Sequence, residues 1–192
     1  MKNKISKEIN RKNLLECANL LEDIDYCFFY GSLLGVYRDN DVIEGDDDVD
    51  ILLSEEDDEK VAELLLQNGY KVSTEFNGQI SYKGIFRQFY KVFDGVPTIL
   101  DLYFYEKLND RFIVEKWNFH GKPFNKSFHM LLPAPIIFPI KETIFKGKKI
   151  KIPNKPEKVC RYLYGENFST PLKKELEYYT IIENNRPCIK LK

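Results

Sequence analysis

Residues 46–53 read Asp-Asp-Asp-Val-Asp-Ile-Leu-Leu. Acid and hydrophobe alternate there at the two-residue period of a β-strand. In an extended chain Asp48 and Asp50 share one face, while Val49 and Ile51 turn into a core. Asp46 joins the acidic face where the chain is already extended, and Asp47 points away. Such a strand must bury its apolar side and hold two or three carboxylates together. Like charges this close repel unless a cation sits among them. Oxygen-only ligands suit Mg²⁺ or Mn²⁺, with positions left for water and phosphate oxygens. An EF-hand loop is excluded: Ile51 stands where that loop needs glycine, and Asp57 where it needs a bidentate glutamate.

A second apolar run carries a lone acid. Residues 98–105 (TILDLYFY) are the strongest strand signal in the chain. Asp101 lies within it, with Leu100, Leu102 and Phe104 supplying the buried face. A charge in such a strand is costly unless paired or metal-bound. Placed beside residues 49–53, Asp101 completes a three-carboxylate cage. Upstream, residues 26–30 (YCFFY) read as a buried strand ending at Gly31-Ser32, with a short helix over 33–38. Backbone N–H groups at a strand-to-helix turn can hold a phosphate.

The other elements follow from periodicity and punctuation. An amphipathic helix is expected over 5–22, with Ile9, Leu14, Cys17, Ala18 and Leu21 on one face. Ser54-Glu55-Glu56-Asp57 resembles a capping box opening a helix to about Asn68, with Gly69 as its cap. The acids at 55–58 then complement a helix N-terminus and are set aside as metal ligands. Strands are expected over 70–75, 79–83, 86–93 and 111–117, with Asp94-Gly95 and Asn109-Asp110 as turns. Beyond Pro133 the chain is punctuated by proline. A hairpin is expected over 143–152 around Lys146-Gly147-Lys148. Helices follow over 156–164 and from 172 to about 183.

Charge is segregated. The 192 residues carry 29 basic and 30 acidic side chains, a net charge of −1. Twelve of the acids lie between Asp39 and Glu59, a stretch with no Lys or Arg. Residues 107–192 hold 18 bases against 8 acids. The overall balance argues against a nucleic-acid partner but leaves room for a basic wall receiving an anionic small molecule. No C-x-x-C pair occurs, and Cys17 and Cys27 read as buried thiols. His120 and His129 read as ordinary surface or core residues. With no signal-like or membrane-spanning run, the cytoplasm is the expected compartment, its membrane face included. Oligomeric state is not legible.

The order of apolar strand, Gly-Ser, short helix, acid-x-acid strand and later apolar-acid-apolar strand resembles the nucleotidyltransferase fold related to polymerase β. Residues 30–51 (YGSLLGVYRDNDVIEGDDDVDI) resemble the signature of LicD/fukutin-type phosphotransferases. A later block is similar too: Phe138-Pro139-Ile140-Lys141, Phe145-Lys146-Gly147, Ile152-Pro153-Asn154, and Leu163-Tyr164-Gly165 with Pro171. The family's frequent Pro-Trp before the aspartates is Glu44-Gly45 here.

The resemblance implies an α+β fold: a mixed sheet flanked by helices, with a C-terminal hairpin and helical segment. One domain is expected over 1–192, a core over 1–132 carrying an extension over 133–192. It implies transfer of a substituted phosphate from a CDP-activated donor to a carbohydrate hydroxyl, on an acceptor free or lipid-linked. Asp48, Asp50 and Asp101 are the expected catalytic residues, and with Asp46 they form the expected Mg²⁺ or Mn²⁺ cage. Gly31, Ser32, Arg38 and Lys141 are expected at the donor phosphate. Arg38 has an equal alternative, pairing with the acidic loop. Two other readings stay open: transfer of a nucleoside monophosphate from an NTP, and a non-catalytic cation- or glycan-binding module.

Overall fold

A computed structural model describes residues 7–73, 82–117, 129–171 and 188–189. The chain runs α1 (Lys7–Leu20), β1 (Tyr26–Phe28), α2 (Tyr30–Leu34) and a π-helical turn (Gly35–Asp39). Then come β2 (Asp48–Ser54), a 3₁₀ turn (Glu55–Asp57), α3 (Asp58–Gln67), β3 (Lys71–Val72), β4 (Phe86–Phe93) and β5 (Val96–Lys107). The remainder is β6 (Phe112–Glu115), β7 (His129–Pro133), α4 (Ala134–Ile137), β8 (Lys141–Phe145), β9 (Lys148–Ile152), α5 (Pro156–Tyr164) and β10 (Cys188–Ile189).

Eight strands make one mixed sheet in the order β1-β2-β5-β6-β7-β10, with β4 on β5 and β3 on β4. The long strand β5 organises it. β2 pairs with β5 in parallel, β4 pairs along its first part and β6 along its last residues, both antiparallel. The parallel pairing matters most here, because it sets Asp50 directly opposite Asp101.

The alternation in β2 sends its residues to two cores. Val49, Ile51 and Leu53 pack with Leu100, Leu102 and Phe104 under Leu14, Cys17 and Leu21 of α1 and Val61 and Leu65 of α3. Leu52 and Tyr103 belong to the opposite core, with Leu33 and Leu34 of α2 and Val159, Cys160 and Leu163 of α5. Asp48 and Asp50 are on this second side by the same alternation. The later elements share these cores: Phe145 and Ile150 of the β8–β9 hairpin join the first, and Ala134 and Ile137 join the second.

Most expected elements are present, with shifts that have physical causes. β1 stops at Phe28 and Tyr30 already opens α2, because Phe29 N–H bonds to Asp50 O and the chain turns there. The helix expected over 33–38 splits into α2 and the π-helical turn. A Cβ on Gly35 would meet Asp41 O at 2.7 Å, so glycine lets the following loop fold back onto this turn. Ser54 does cap, accepting from Glu56 N–H, but the first turn is 3₁₀.

Both predicted hairpin turns close with two left-handed residues, Asp94-Gly95 at φ 52° and 80° and Lys146-Gly147 at φ 48° and 80°. This is the conformation that two-residue hairpins require. β7 and α4 were not expected; prolines 133 and 135 open α4 rather than break it. The helix expected after Pro171 and most of the strand expected over 79–83 lie outside the described residues.

Candidate active site

The parallel register of β2 and β5 builds the site. Asp48, Asp50 and Asp101 each offer a carboxylate oxygen within 4.8 Å of the others, and Asp46, Asp47 and Asp48 form a second such group. Asp50 and Asp101 are each 4% exposed, while Asp46, Asp47 and Asp48 are half-buried. The deep pair therefore meets the shallower acids at the N-terminal end of β2.

Neutral donors hold the deep pair. Ser32 N–H points to Asp50 Oδ2 at 3.3 Å, and Asp50 N–H donates to Ser32 Oγ at 2.9 Å. Ser32 thus grips Asp50 by both its backbone and its side chain. Gln88, opposite Asp101 across β4–β5, donates Nε2–H to Asp101 Oδ1 at 2.9 Å. Tyr103 stands two residues on from Asp101, on the same face of β5. Gly31 has a steric reason to lack a side chain: a Cβ there would lie 3.0 Å from Asp46 Oδ2 and 3.2 Å from Asp50 Oδ2.

Burial pushes the Asp50 carboxyl well above its ordinary range, and the neighbouring Asp48, Asp46 and Asp101 add to the effect. Burial does the same to Asp101, with Asp48 the next contributor. Tyr103 is driven up by burial and by Asp50 and Asp101. Three converging oxygen ligands, two of them buried and mutually repelling, form a donor set that fits a hard divalent ion.

Two asparagines on α1 fix this end of the sheet. Asn10 Nδ2–H reaches Asp48 O at 2.9 Å and Asp46 O at 3.3 Å. Asn13 Nδ2–H reaches Ile99 O at 2.8 Å, and Asn13 Oδ1 accepts from the Tyr70 hydroxyl at 2.7 Å. Both are buried. The sequence reading saw α1 only as an apolar stripe and missed them. So too with Gln88: a single polar residue in an apolar run does not reveal a partner on another strand.

The basic residues are placed less simply. Arg38 binds Asp39 through Nε at 2.7 Å and Nη2 at 2.8 Å, its side chain 7% exposed. The pairing with the acidic loop is therefore present. Lys141 opens β8 opposite Ile152, at the open end of the hairpin. Among the described residues no contact joins it to the carboxylates. Two lysines reach the acidic loop: Lys146 at the hairpin tip, 3.8 Å from Asp41, and Lys7, 3.9 Å from Glu44. Asp41 also takes two bonds from Arg11 at 3.0 and 2.8 Å. Burial pushes Asp41 up, but the Val42 N–H and Arg11 outweigh it and hold the carboxyl below its usual range. Asp58 is not merely a helix-dipole partner. It is buried, 2.7 Å from Arg87 Nε, and accepts from Gly84 N–H at 2.6 Å.

A mixed sheet with acids on adjacent parallel strands, beside a Gly-Ser turn, defines a nucleotidyltransferase-fold protein. The lincomycin-bound lincosamide antibiotic adenylyltransferase LnuA shares this architecture, with a TM-score of 0.57 and 20% identity over 95% of this chain and 97% of that one. ANT(2")-Ia in complex with adenylyl-2"-tobramycin aligns with a TM-score of 0.46 and 12% identity, over 93% of this chain and 89% of that one. Residues 23–155 match the LicD/FKTN/FKRP nucleotidyltransferase domain. The chain belongs to that family and is a transferase of the phosphotransferase or nucleotidyltransferase type. No curated protein sequence matches it. Among the described residues no helix is long and apolar enough to cross a membrane.

Proposed function

We propose that the protein is a metal-dependent phosphotransferase. It moves a substituted phosphate, of the phosphocholine or polyol-phosphate kind, from a CDP-activated donor to a sugar hydroxyl of a surface glycan. The observation that carries this reading is the convergence of Asp48, Asp50 and Asp101 on one oxygen-lined point.

Asp48, Asp50 and Asp101 would hold Mg²⁺ or Mn²⁺, with Asp46 at the rim. When bound, such an ion neutralises charge on a transferring phosphoryl group and keeps its oxygens in line. The chain's own work is placement. Ser32 fixes the Asp50 carboxylate, Gln88 fixes Asp101, and Asn10 fixes the backbone between Asp46 and Asp48. Asp101 has an alternative role, taking the proton of the acceptor hydroxyl. Gly31 leaves room for the Asp46 and Asp50 carboxylates, and its backbone would face the donor phosphate. Arg38 reaches that phosphate only by exchanging its bonds to Asp39. Lys141 would help neutralise the donor phosphate.

A second reading has its own support. The likeness to LnuA spans nearly both whole chains, and that protein is an adenylyltransferase. Here the enzyme would add a nucleoside monophosphate to a small-molecule hydroxyl.

One assay separates the readings: incubation with Mg²⁺ and either CDP-alcohols or NTPs, with acceptors resolved by mass. Gain of a substituted phosphate with release of CMP supports the first reading. Gain of NMP with release of pyrophosphate supports the second. Binding of a cation or glycan without turnover of any donor leaves the non-catalytic module.

A further inference from the structure

Glu115 is a carboxylate with no exposed surface. It closes β6, in the apolar run Phe112-Ile113-Val114. Its Oε1 accepts from Trp117 N–H at 2.6 Å, and its Oε2 accepts from the Tyr30 hydroxyl at 3.0 Å. A buried charge is normally excluded from such a place unless something needs it there. What it touches is the first residue of the turn that builds the site.

Tyr30 has φ +37°, a left-handed backbone that a bulky side chain rarely adopts. The next residues are Gly31, which leaves room for Asp46 and Asp50, and Ser32, which grips Asp50 twice. The Tyr30 ring packs edge-on against Tyr103 with centroids 4.7 Å apart. Tyr103 in turn stands beside Asp101, two residues on along the same face of β5. Two lines of contact leave Tyr30. One runs through the turn and Ser32 to Asp50, the other through Tyr103 to Asp101. These two carboxylates face each other across β2 and β5.

We propose that Glu115 is a positioning residue of the transfer site. By fastening the far end of Tyr30 it sets the spacing of Asp50 and Asp101, without touching either. The proposal rests on the reading of these acids as a divalent-ion site. Groups that orient metal ligands from behind typically change affinity by about 10–100-fold when lost.

The test is calorimetric titration of Mn²⁺ alone into the wild type, Tyr30→Phe, Glu115→Leu, Glu115→Gln and the Tyr30→Phe/Glu115→Leu double variant. Tyr30→Phe and Glu115→Leu are expected to bind Mn²⁺ roughly 10-fold more weakly. The double variant should be no weaker than Glu115→Leu, since both break one contact. Glu115→Gln should stay within about threefold of wild type. Its amide oxygen can accept from Trp117 N–H while its NH₂ donates to the Tyr30 hydroxyl. In turnover, kcat should fall in Tyr30→Phe with KM for the donor unchanged.

Wild-type affinity in Tyr30→Phe overturns the proposal, as does simple addition of the two single effects. If Glu115→Leu does not fold, Tyr30→Phe decides, because it deletes one oxygen. A wild type that binds no Mn²⁺ overturns the metal-site reading, and the proposal with it. Normal wild-type binding with an unaffected Tyr30→Phe overturns the proposal alone.

Discussion

The acids of the 39–59 stretch and its neighbour strand fall into two groups that look alike in sequence and behave oppositely in the fold. Asp39, Asp41 and Asp58 each meet a guanidinium, from Arg38, Arg11 and Arg87. Asp50 and Asp101 sit deeper, take neutral donors and crowd each other and Asp48. The Asp41 carboxyl is held below its usual range, whereas Asp50 and Asp101 are pushed well above it. Acids of the first group tie elements together at their own expense. Acids of the second group weigh against the fold until something cationic joins them.

The strongest way to break this contrast is Asp50→Asn. Turnover should fall by about 10³-fold, the scale of losing a ligand to an ion that stabilises several kcal/mol of developing charge. The melting temperature of the metal-free variant should equal or exceed that of wild type, because one repelling charge is gone. A variant that keeps its turnover, or melts well below wild type, would place Asp50 in the first group.

Arg87→Ala should do the reverse. It strands buried Asp58 and should lower unfolding free energy by roughly 3–5 kcal/mol in urea titrations. Mn²⁺ affinity of the folded fraction should not change.

Asp41 and the deep pair also respond to pH with opposite sign. Asp50 and Asp101 have folded pKa values raised above the unfolded value. Their contribution to stability is complete below about pH 4 and is lost as pH rises through the raised folded values. Asp41 has a depressed folded value, so its contribution is complete above about pH 4 and is lost as pH falls through that lower value. Thermal melts of the metal-free protein should therefore decline as pH rises above about 4, and saturating Mg²⁺ should flatten the decline. A decline unchanged by Mg²⁺ would mean that the ion does not meet these carboxylates.

Gly31→Ala sharpens the contrast on a smaller scale. The added methyl meets Asp46 and Asp50 oxygens at 3.0 and 3.2 Å. Mn²⁺ affinity should fall by roughly 10-fold. Alanine favours a helix by up to ~1 kcal/mol over glycine, so stability should not fall in step. Arg11→Ala, which releases the partly exposed Asp41, should cost about 1 kcal/mol or less in the same unfolding assay.

The sequence made part of this readable. Alternation at 48–53 is a local property, so the shared face of Asp48 and Asp50 could be read directly. Asp101 stood out because a lone acid in an apolar strand is chemically conspicuous. Their meeting followed only from a condition, that the two strands adjoin, and the parallel pairing fulfils it. What escaped notice is long-range by nature. Asn10, Tyr30 and Glu115 act through partners dozens of residues away, and Gln88 through one on the next strand. Nothing in their own neighbourhoods distinguishes them from ordinary polar residues. The contact of Lys146 with Asp41 was not legible either, because only the fold decides which end of a hairpin meets a distant loop.

The parallel pairing of β2 and β5 has a consequence for how the protein comes into being. Antiparallel neighbours such as β4 and β5 join through a two-residue turn and can zip locally. β2 and β5 meet only after about 50 residues of intervening chain have closed on themselves, a slow, entropically opposed event. No fragment made early can display both halves of the carboxylate cluster. Ligand-binding competence and completion of the central sheet are one event, so recovery of ion binding during refolding should report the formation of that sheet.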